Sequence, residues 1–250
     1  MRPAGRRNYH AVMVDERTAM VRVASSLRFL LPVRHRHGEV TVGVDGATSL
    51  THVIESLGVP RTEVGELLIN GRAASPQDRP SAGDVIDVPP VPRPQAVPAA
   101  RFVLDVHLGT LARRMRLLGI DTAYRNDASD PELVAQGNAE GRVVLTKDRG
   151  LLQRRELSAG AYVRGDSPDD QLADVLDRFA PPVAPWTRCL ACNGGLDPVE
   201  KHEVEHLLEP GTRASYDRFS RCRVCGRLYW HGAHARGLAA LVDLAGRVNR

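Results

Sequence analysis

Apolar and polar residues alternate through the first third of the chain. "VRVASSLRFLL" reads as a strand, and "GEVTVGVDG" as a second one with Val40, Val42 and Val44 on one side. The period then changes. "TSLTHVIESLGVP" puts Leu50, Val53, Ile54 and Leu57 on one helical face, between a Thr/Ser start and a Gly-Val-Pro stop. "ELLING", which runs into an Asn-Gly turn, and "SAGDVIDVPP" predict two closing strands. Two strands, a helix and two strands over residues 21–92 make a compact α+β unit. Residues 1–20 read as a loose tail, with Met20 placed as an alternative start.

"PPVPRPQAVPAA" then breaks the pattern. Its Pro/Ala composition predicts a stiff linker that ends over 93–100. Few contacts are expected across such a boundary, so removing residues 1–95 is expected to leave the rest folded. From residue 101 strands and helices alternate: "RFVLD", "HLGTLARRMRLLG", "DTAYRND", "DPELVAQGNAEG", "RVVLTKD", "GLLQRRELS", "AYV" and "SPDDQLADVLDRF". That order predicts an α/β domain over 101–182, a parallel sheet wrapped by helices, which binds ligands at the carboxyl ends of its strands. "RGLAALVDLAGRVN" predicts a short closing helix within 232–250.

Carboxylates stand at those strand ends. Asp105 closes "FVLD" and Asp148 closes "VVLTKD", and a desolvated, unpaired charge at the mouth of a buried strand is expensive. Asp130, before Pro131, reads equally well as a helix cap and as a third carboxylate beside the sheet mouth. Asp166, after "AYVR", holds a corresponding place, whereas Asp127 and Asp169 lie in turn-rich loops where Asp is common. Three or four converging carboxylates must take up protons or share cations. Mg²⁺ or Mn²⁺ suits such oxygen ligands, and a pair about 4 Å apart can drive phosphodiester hydrolysis. On "HLGTLARRMRLLG" the buried stripe is Leu108, Leu111, Met115 and Leu118, which leaves Arg113, Arg114 and Arg116 outside it. Arg142, Lys147, Arg149, Arg154 and Arg155 add positive charge nearby. Each alone is an ordinary solvated side chain, but beside a metal site they become candidates for phosphate contact.

Composition narrows the class. Apolar residues make up 42% and charged residues 26%, which is ordinary for a globular chain and excludes wholesale disorder. A net charge of +4 permits a polyanionic partner. No run of about 18 apolar residues and no signal-peptide core occurs, so the expectation is a soluble cytoplasmic protein with no membrane partner. The four cysteines form two Cys-x-x-Cys pairs, Cys189/Cys192 and Cys222/Cys225, with 29 residues between them. This pattern points to one closed, structural Zn²⁺ site in a ribbon over 186–231. "HEVEH", His202 to His206, matches a zinc-protease motif in form, but it lies inside the ribbon just ahead of Pro210-Gly211, and a surface histidine pair is the default. In "YWHGAH", Tyr229 and Trp230 read first as core aromatics and second, with His231 and His234, as an RNA-stacking surface.

Two resemblances follow from these residues. The "LLINGR" and "GDVIDVPP" segments resemble the ubiquitin-like β-grasp fold of the sulfur-carrier type. Where active carriers end in Gly-Gly, this chain has Val88-Pro89-Pro90, so a carrier role is not expected. "FVLDVHLGTLARRMRLLGIDT", "DPELVAQGNAEGRVVLTKDRGLL" and "YWHGAH", with both cysteine pairs, resemble the Mut-seven C-terminal RNase domain, a branch of the PIN-like nucleases with an appended zinc ribbon. The resemblance implies a metal-dependent ribonuclease in which Asp105, Asp130 and Asp148 take the PIN acidic positions. No acid stands clearly in the family's middle-helix place, which leaves open whether Asp166 or Asp127 completes the site or the activity is weak. The implied cofactors are structural Zn and catalytic Mg or Mn. The implied partners are single-stranded or tRNA-like RNA and a protein that binds the ubiquitin-like module. The competing class is a non-catalytic RNA-binding or adaptor protein built on the same modules.

Overall fold

The computed structural model describes residues 17–36, 38–230 and 241. The tail before Arg17, His231, His234 and, apart from Leu241, the expected closing helix lie outside the described residues. The chain divides into two compact units, one formed by Met1–Val59 and Val64–Pro90, the other by Pro60–Glu63 and Val91–Arg250.

In the first unit, β1 (Thr18–Val23), β2 (Val40–Gly43), β3 (Leu68–Ile69), β4 (Arg72–Ala73) and β5 (Val85–Val88) form one sheet in the order β2-β1-β5-β3-β4. β1 and β5 are parallel and the other pairs antiparallel. α1 (Leu50–Ser56) buries Leu50, Val53 and Ile54 and is capped by Ser49, whose side chain accepts the His52 N–H. This is the β-grasp arrangement. Two expectations change. β1 stops at Val23, and Ser25–Leu30 winds into a 3-10 turn, because the buried residues Leu27 and Leu30 are three apart, the repeat of that helix and not of a strand. The strand also begins before Met20: Thr18 and Ala19 pair with Gly43 and Val42, so a chain starting at Met20 would lack them.

The second unit holds a parallel sheet of β6 (Arg101–Leu104), β7 (Asp121–Tyr124), β8 (Val143–Thr146) and β9 (Gly160–Tyr162) in the order β7-β6-β8-β9. α2 (Gly109–Leu117) and α5 (Pro168–Phe179) cover one face through Leu111, Met115, Leu172 and Leu176. α3 (Asp130–Glu140) and α4 (Arg149–Leu152) cover the other through Leu133, Val134, Leu151 and Leu152. Covered on both sides, β8 is buried at every residue, which explains its unbroken apolar reading. The helix expected over "GLLQRRELS" shortens to the four residues of α4.

The linker expectation is corrected. Arg93 donates to Asp177 at 2.6 Å and pairs with Asp174 at 2.8 Å, and Arg178 donates to Gln95, so residues 93–95 are bound to α5. Pro60–Glu63 is equally part of the second unit. Glu63 and Arg178, each 1% exposed, form a two-pronged ion pair at 2.8 and 2.9 Å. Glu63 also accepts the Tyr162 N–H of β9 at 2.8 Å. Deleting residues 1–95 would therefore strip the second unit of a buried carboxylate, against the separability expected from composition.

A third sheet, β10 (Leu196–Val199), β11 (Phe219–Cys222) and β12 (Leu228–Trp230), is antiparallel, with α6 (Lys201–Val204) and α7 (Pro210–Ser215) between β10 and β11. Trp230 packs near Phe219 and Tyr216, in line with the core reading of that aromatic. "HEVEH" does not form one helix: α6 ends at Val204 and a 3-10 turn follows, with His202 and His206 exposed.

Asp121, at the start of β7, ties this ribbon to the parallel sheet. Its carboxylate accepts from Arg142 at 2.6 Å, Asn193 at 2.8 Å and Arg188 at 3.1 Å. Burial alone would raise its pKa, but these donors prevail and hold the carboxyl at about 2. A folded pKa below the unfolded value of ~3.9 contributes stability that is complete above that value and lost as pH falls toward 2. Asp121→Asn should therefore flatten the acid end of the stability curve. Urea midpoints measured between about pH 5 and pH 2 check this: parallel losses in wild type and variant count against it.

Candidate active site and cysteine centre

Two acids stand at the point where the sheet reverses direction. From β6 the chain passes to β7 on one side and then to β8 on the other, so the β6–β8 gap is the switch point at which such sheets bind ligands. Asp105 follows β6 and Asp148 follows β8, both at the carboxyl edge of that gap. Thr146, fully buried at the end of β8, joins them: its hydroxyl donates to Asp105 Oδ2 at 2.6 Å and accepts the Asp148 N–H at 2.8 Å. One hydroxyl thereby fixes a side chain on one strand and the backbone after the next. Asp105 is 7% exposed. Asp148 is exposed and caps α4, with Oδ1 accepting the Gly150 N–H at 2.7 Å. Neither acid has a cationic partner among the described residues.

The other acids differ. Asp130 is not the cap of α3; Ser129 is, in a capping box with Glu132, and Asp130 is the first helical residue. Its carboxylate pairs with Arg154 at 3.2 Å. Asp166 is fully exposed, 3.8 Å from the Lys147 ammonium. Among the described residues, no three carboxylates bring their oxygens within 4.8 Å of one another; the four cysteines alone form such a group.

The basic residues also separate. Arg116 does not face solvent: it is 3% exposed and donates to the Thr122, Leu190 and Ala191 carbonyls. It is removed from the RNA-contact set, because its guanidinium holds the first cysteine knuckle against α2 and β7. Arg142 is likewise buried, on Asp121 and Glu140. Arg114 pairs with Asp169, and Lys147 donates to the Gly165 carbonyl at 2.7 Å. Arg113 and Arg149 are exposed.

The cysteines suit a tetrahedral cation. Cys189 and Cys225 Sγ lie 3.6 Å apart, and Cys192 and Cys222 Sγ 3.4 Å apart, near the ~3.8 Å edge of a tetrahedron with 2.3 Å metal–sulfur bonds. Backbone N–H groups of Cys192, Val224 and Cys225 point at the sulfurs, as two tight knuckles require. Burial would raise the Cys189 thiol, but the Tyr229 hydroxyl and nearby N–H groups bring it to about 6, while burial and neighbouring thiols push Cys192 up to about 12. Four clustered thiols cannot all ionise by themselves, and a divalent cation removes that conflict. The set could hold Zn²⁺. Cys222→Ser is expected to lower bound zinc from about one equivalent to a small fraction and to loosen the ribbon. Elemental analysis with hydrogen exchange checks this, and a normally protected, metal-free variant would count against it.

Sequence reading missed Thr146, Asn193 and the clamp role of Arg116. For Thr146 a signal existed, a hydroxyl two residues before an acid at the end of an apolar strand. The other two depend on contacts 74 and 71 residues away in sequence, where no local pattern reports them.

A β-grasp unit and a parallel α/β unit with acids at its switch point and a cysteine-tetrad ribbon define a nuclease-like protein with a ubiquitin-like N-terminal part. Residues 100–242 match the Mut7-C RNAse domain, and residues 16–96 match the Mut7-C ubiquitin domain. The chain belongs to the Mut7-C RNAse domain family. Among solved structures it is similar to the H. volcanii small archaeal modifier protein 1, at 20% identity and a TM-score of 0.25, over 30% of this chain and 98% of that one. No curated protein matches the chain. No helix among the described residues is long and apolar enough to cross a membrane.

Proposed function

We propose that the chain is a divalent-metal-dependent ribonuclease acting on single-stranded or tRNA-like RNA in the cytoplasm. The carrying observation is that Asp105 and Asp148, at the switch point, are joined by Thr146 and lack a cationic partner among the described residues. Uncompensated carboxylates at a ligand-binding edge fit Mg²⁺ or Mn²⁺, and such an ion supplies water activation and charge neutralisation at a phosphodiester. Asp105 and Asp148 would hold it, with Asp130 as a third ligand on releasing Arg154. Thr146 fixes Asp105, so that this buried acid has one orientation before substrate arrives. Arg149 and Lys147, which flank Asp148, would meet the phosphates, joined by Arg114 on its release of Asp169, and Asp166 assists from the rim. The ribbon, with structural zinc, braces α2 and β7 through Arg116 and Asn193. The β-grasp unit would bind a protein partner. A carrier role is not assigned to it, because β5 runs directly into Pro89-Pro90.

The test is direct. The purified chain should cut single-stranded RNA with added Mg²⁺ or Mn²⁺ and stop when that ion is withheld while zinc is kept, with product ends read by sequencing. RNA binding without cleavage under every metal condition favours the adaptor reading.

A further inference from the structure

A cavity of about 650 Å³ opens beside the switch point, on the β7 side of β6. His107, Thr110 and Arg113 line it from the start of α2, Arg125 and Asn126 from the loop after β7, and Ala191 from the first cysteine knuckle. The volume falls within the usual range for small-ligand sites. Its wall is fixed on two sides. The Tyr124 hydroxyl, also in the lining, donates to the Val106 carbonyl at 2.9 Å. A Cβ on Gly109 would lie 2.6 Å from that hydroxyl, so only glycine lets the ring close on the helix start. The knuckle wall is set by the two bonds from Arg116 to Leu190 and Ala191.

The charges differ from those of the surrounding surface. Arg114, Arg116, Arg142 and Arg154 are committed to carboxylates or carbonyls, and Arg125 pairs with Glu132 at 2.8 Å. Asp127 lines the same cavity, 3.9 Å from Arg125. Arg113, exposed on α2, has no acidic partner among the described residues. One uncommitted guanidinium, with a hydroxyl, an amide and an imidazole, is a donor set for a phosphodiester and its ribose.

We infer that this cavity binds the nucleotide adjoining the one being cut, with Arg113 on its phosphate, and that the cysteine knuckle thereby shapes the substrate site. The inference rests on the ribonuclease reading. β7 and β8 flank β6, so the cavity beside the end of β7 and the β6–β8 gap open along the same carboxyl edge of the sheet. An RNA strand crossing the sheet edge therefore places neighbouring nucleotides in the two sites.

The test uses the full zinc-loaded chain and a short fluorescent single-stranded RNA without added Mg²⁺ or Mn²⁺. Affinity is measured against salt for wild type, Arg113→Ala, Ala191→Glu and, as a charge-matched comparison in the first unit, Arg79→Ala. Arg113→Ala should weaken binding about fivefold to tenfold and reduce the salt slope by about 0.7, the value for one lost phosphate contact on a single strand. Ala191→Glu, which adds an anion to the knuckle wall, should weaken binding at least as much. Arg79→Ala should change little. With metal added, Arg113→Ala should raise KM and leave kcat within about twofold. An unchanged slope in Arg113→Ala, or an equal loss in Arg79→Ala, overturns the inference. So does weaker binding of inorganic phosphate with an unaltered RNA slope, which would mark a small-anion site. Failure of the ribonuclease reading is distinguishable: binding would follow the expected pattern while no metal supported cleavage.

Discussion

Asp148→Asn is expected to reduce RNA cleavage about 10²–10³-fold, the scale of removing one electrostatic stabiliser from an active site, while the protein stays folded. Asn keeps the shape of Asp and is an equally good helix cap, so the bond from the Gly150 N–H to Oδ1 survives, as does that from the Asp148 N–H to Thr146. Only the charge that would hold a divalent cation is lost. Stability should remain within about 0.5 kcal/mol of wild type or rise slightly, since Asp105 and Asp148 repel each other without metal. Asp148→Ala separates the two roles, because it loses the cap as well and should cost about 1 kcal/mol in addition to the activity. Cleavage of a single-stranded RNA and thermal unfolding, measured on one preparation, decide the matter. A fully active Asp148→Asn protein would remove the proposed site.

The second large effect is on stability. Arg178→Ala is expected to destabilise the second unit by about 3–5 kcal/mol, the usual cost of breaking a buried ion pair from one side. Among the described residues it leaves the Glu63 carboxylate, 1% exposed, with only the Tyr162 N–H as a donor, and it removes the bonds to Thr62 and Gln95. Glu63→Ala should cost a similar amount, since burial already pulls the Arg178 guanidinium below its usual range and the charge of Glu63 opposes that. The melting temperature should fall by roughly 6–20 °C in either variant. The double variant Glu63→Leu/Arg178→Met should recover much of the loss, because an apolar pair carries no uncompensated charge. Thermal unfolding of the four proteins checks this. If either single replacement shifts the melting temperature by less than a degree or two, the pair is not buried as described. The same physics predicts that removal of residues 1–95 destabilises the second unit, because Glu63 leaves with them.

Elements with a local periodicity were legible from the residues alone. The alternation at Val40, Val42 and Val44, the helical spacing of Leu50, Val53 and Ile54, and the βα alternation after residue 101 all specify which face each segment buries, and burial of that face drives folding. The cysteine pairs were legible because each knuckle is four residues long and the chemistry of a thiolate tetrad is particular. Asp105 and Asp148 were legible as acids ending apolar strands. Tertiary structure alone decided whether those acids met, since that needs β6 beside β8, a fact of strand order and not of either strand. It decided that Thr146 joins them, that Arg154 neutralises Asp130, and that Arg116, one position off a well-read helical stripe, is buried against the Leu190 and Ala191 carbonyls. It also decided that residues 60–63 complete the core of the second unit. Composition reports how freely a segment can turn or extend, whereas a buried ion pair such as Glu63–Arg178 joins residues 115 apart, and its favourable geometry exists only once both are held in the folded chain.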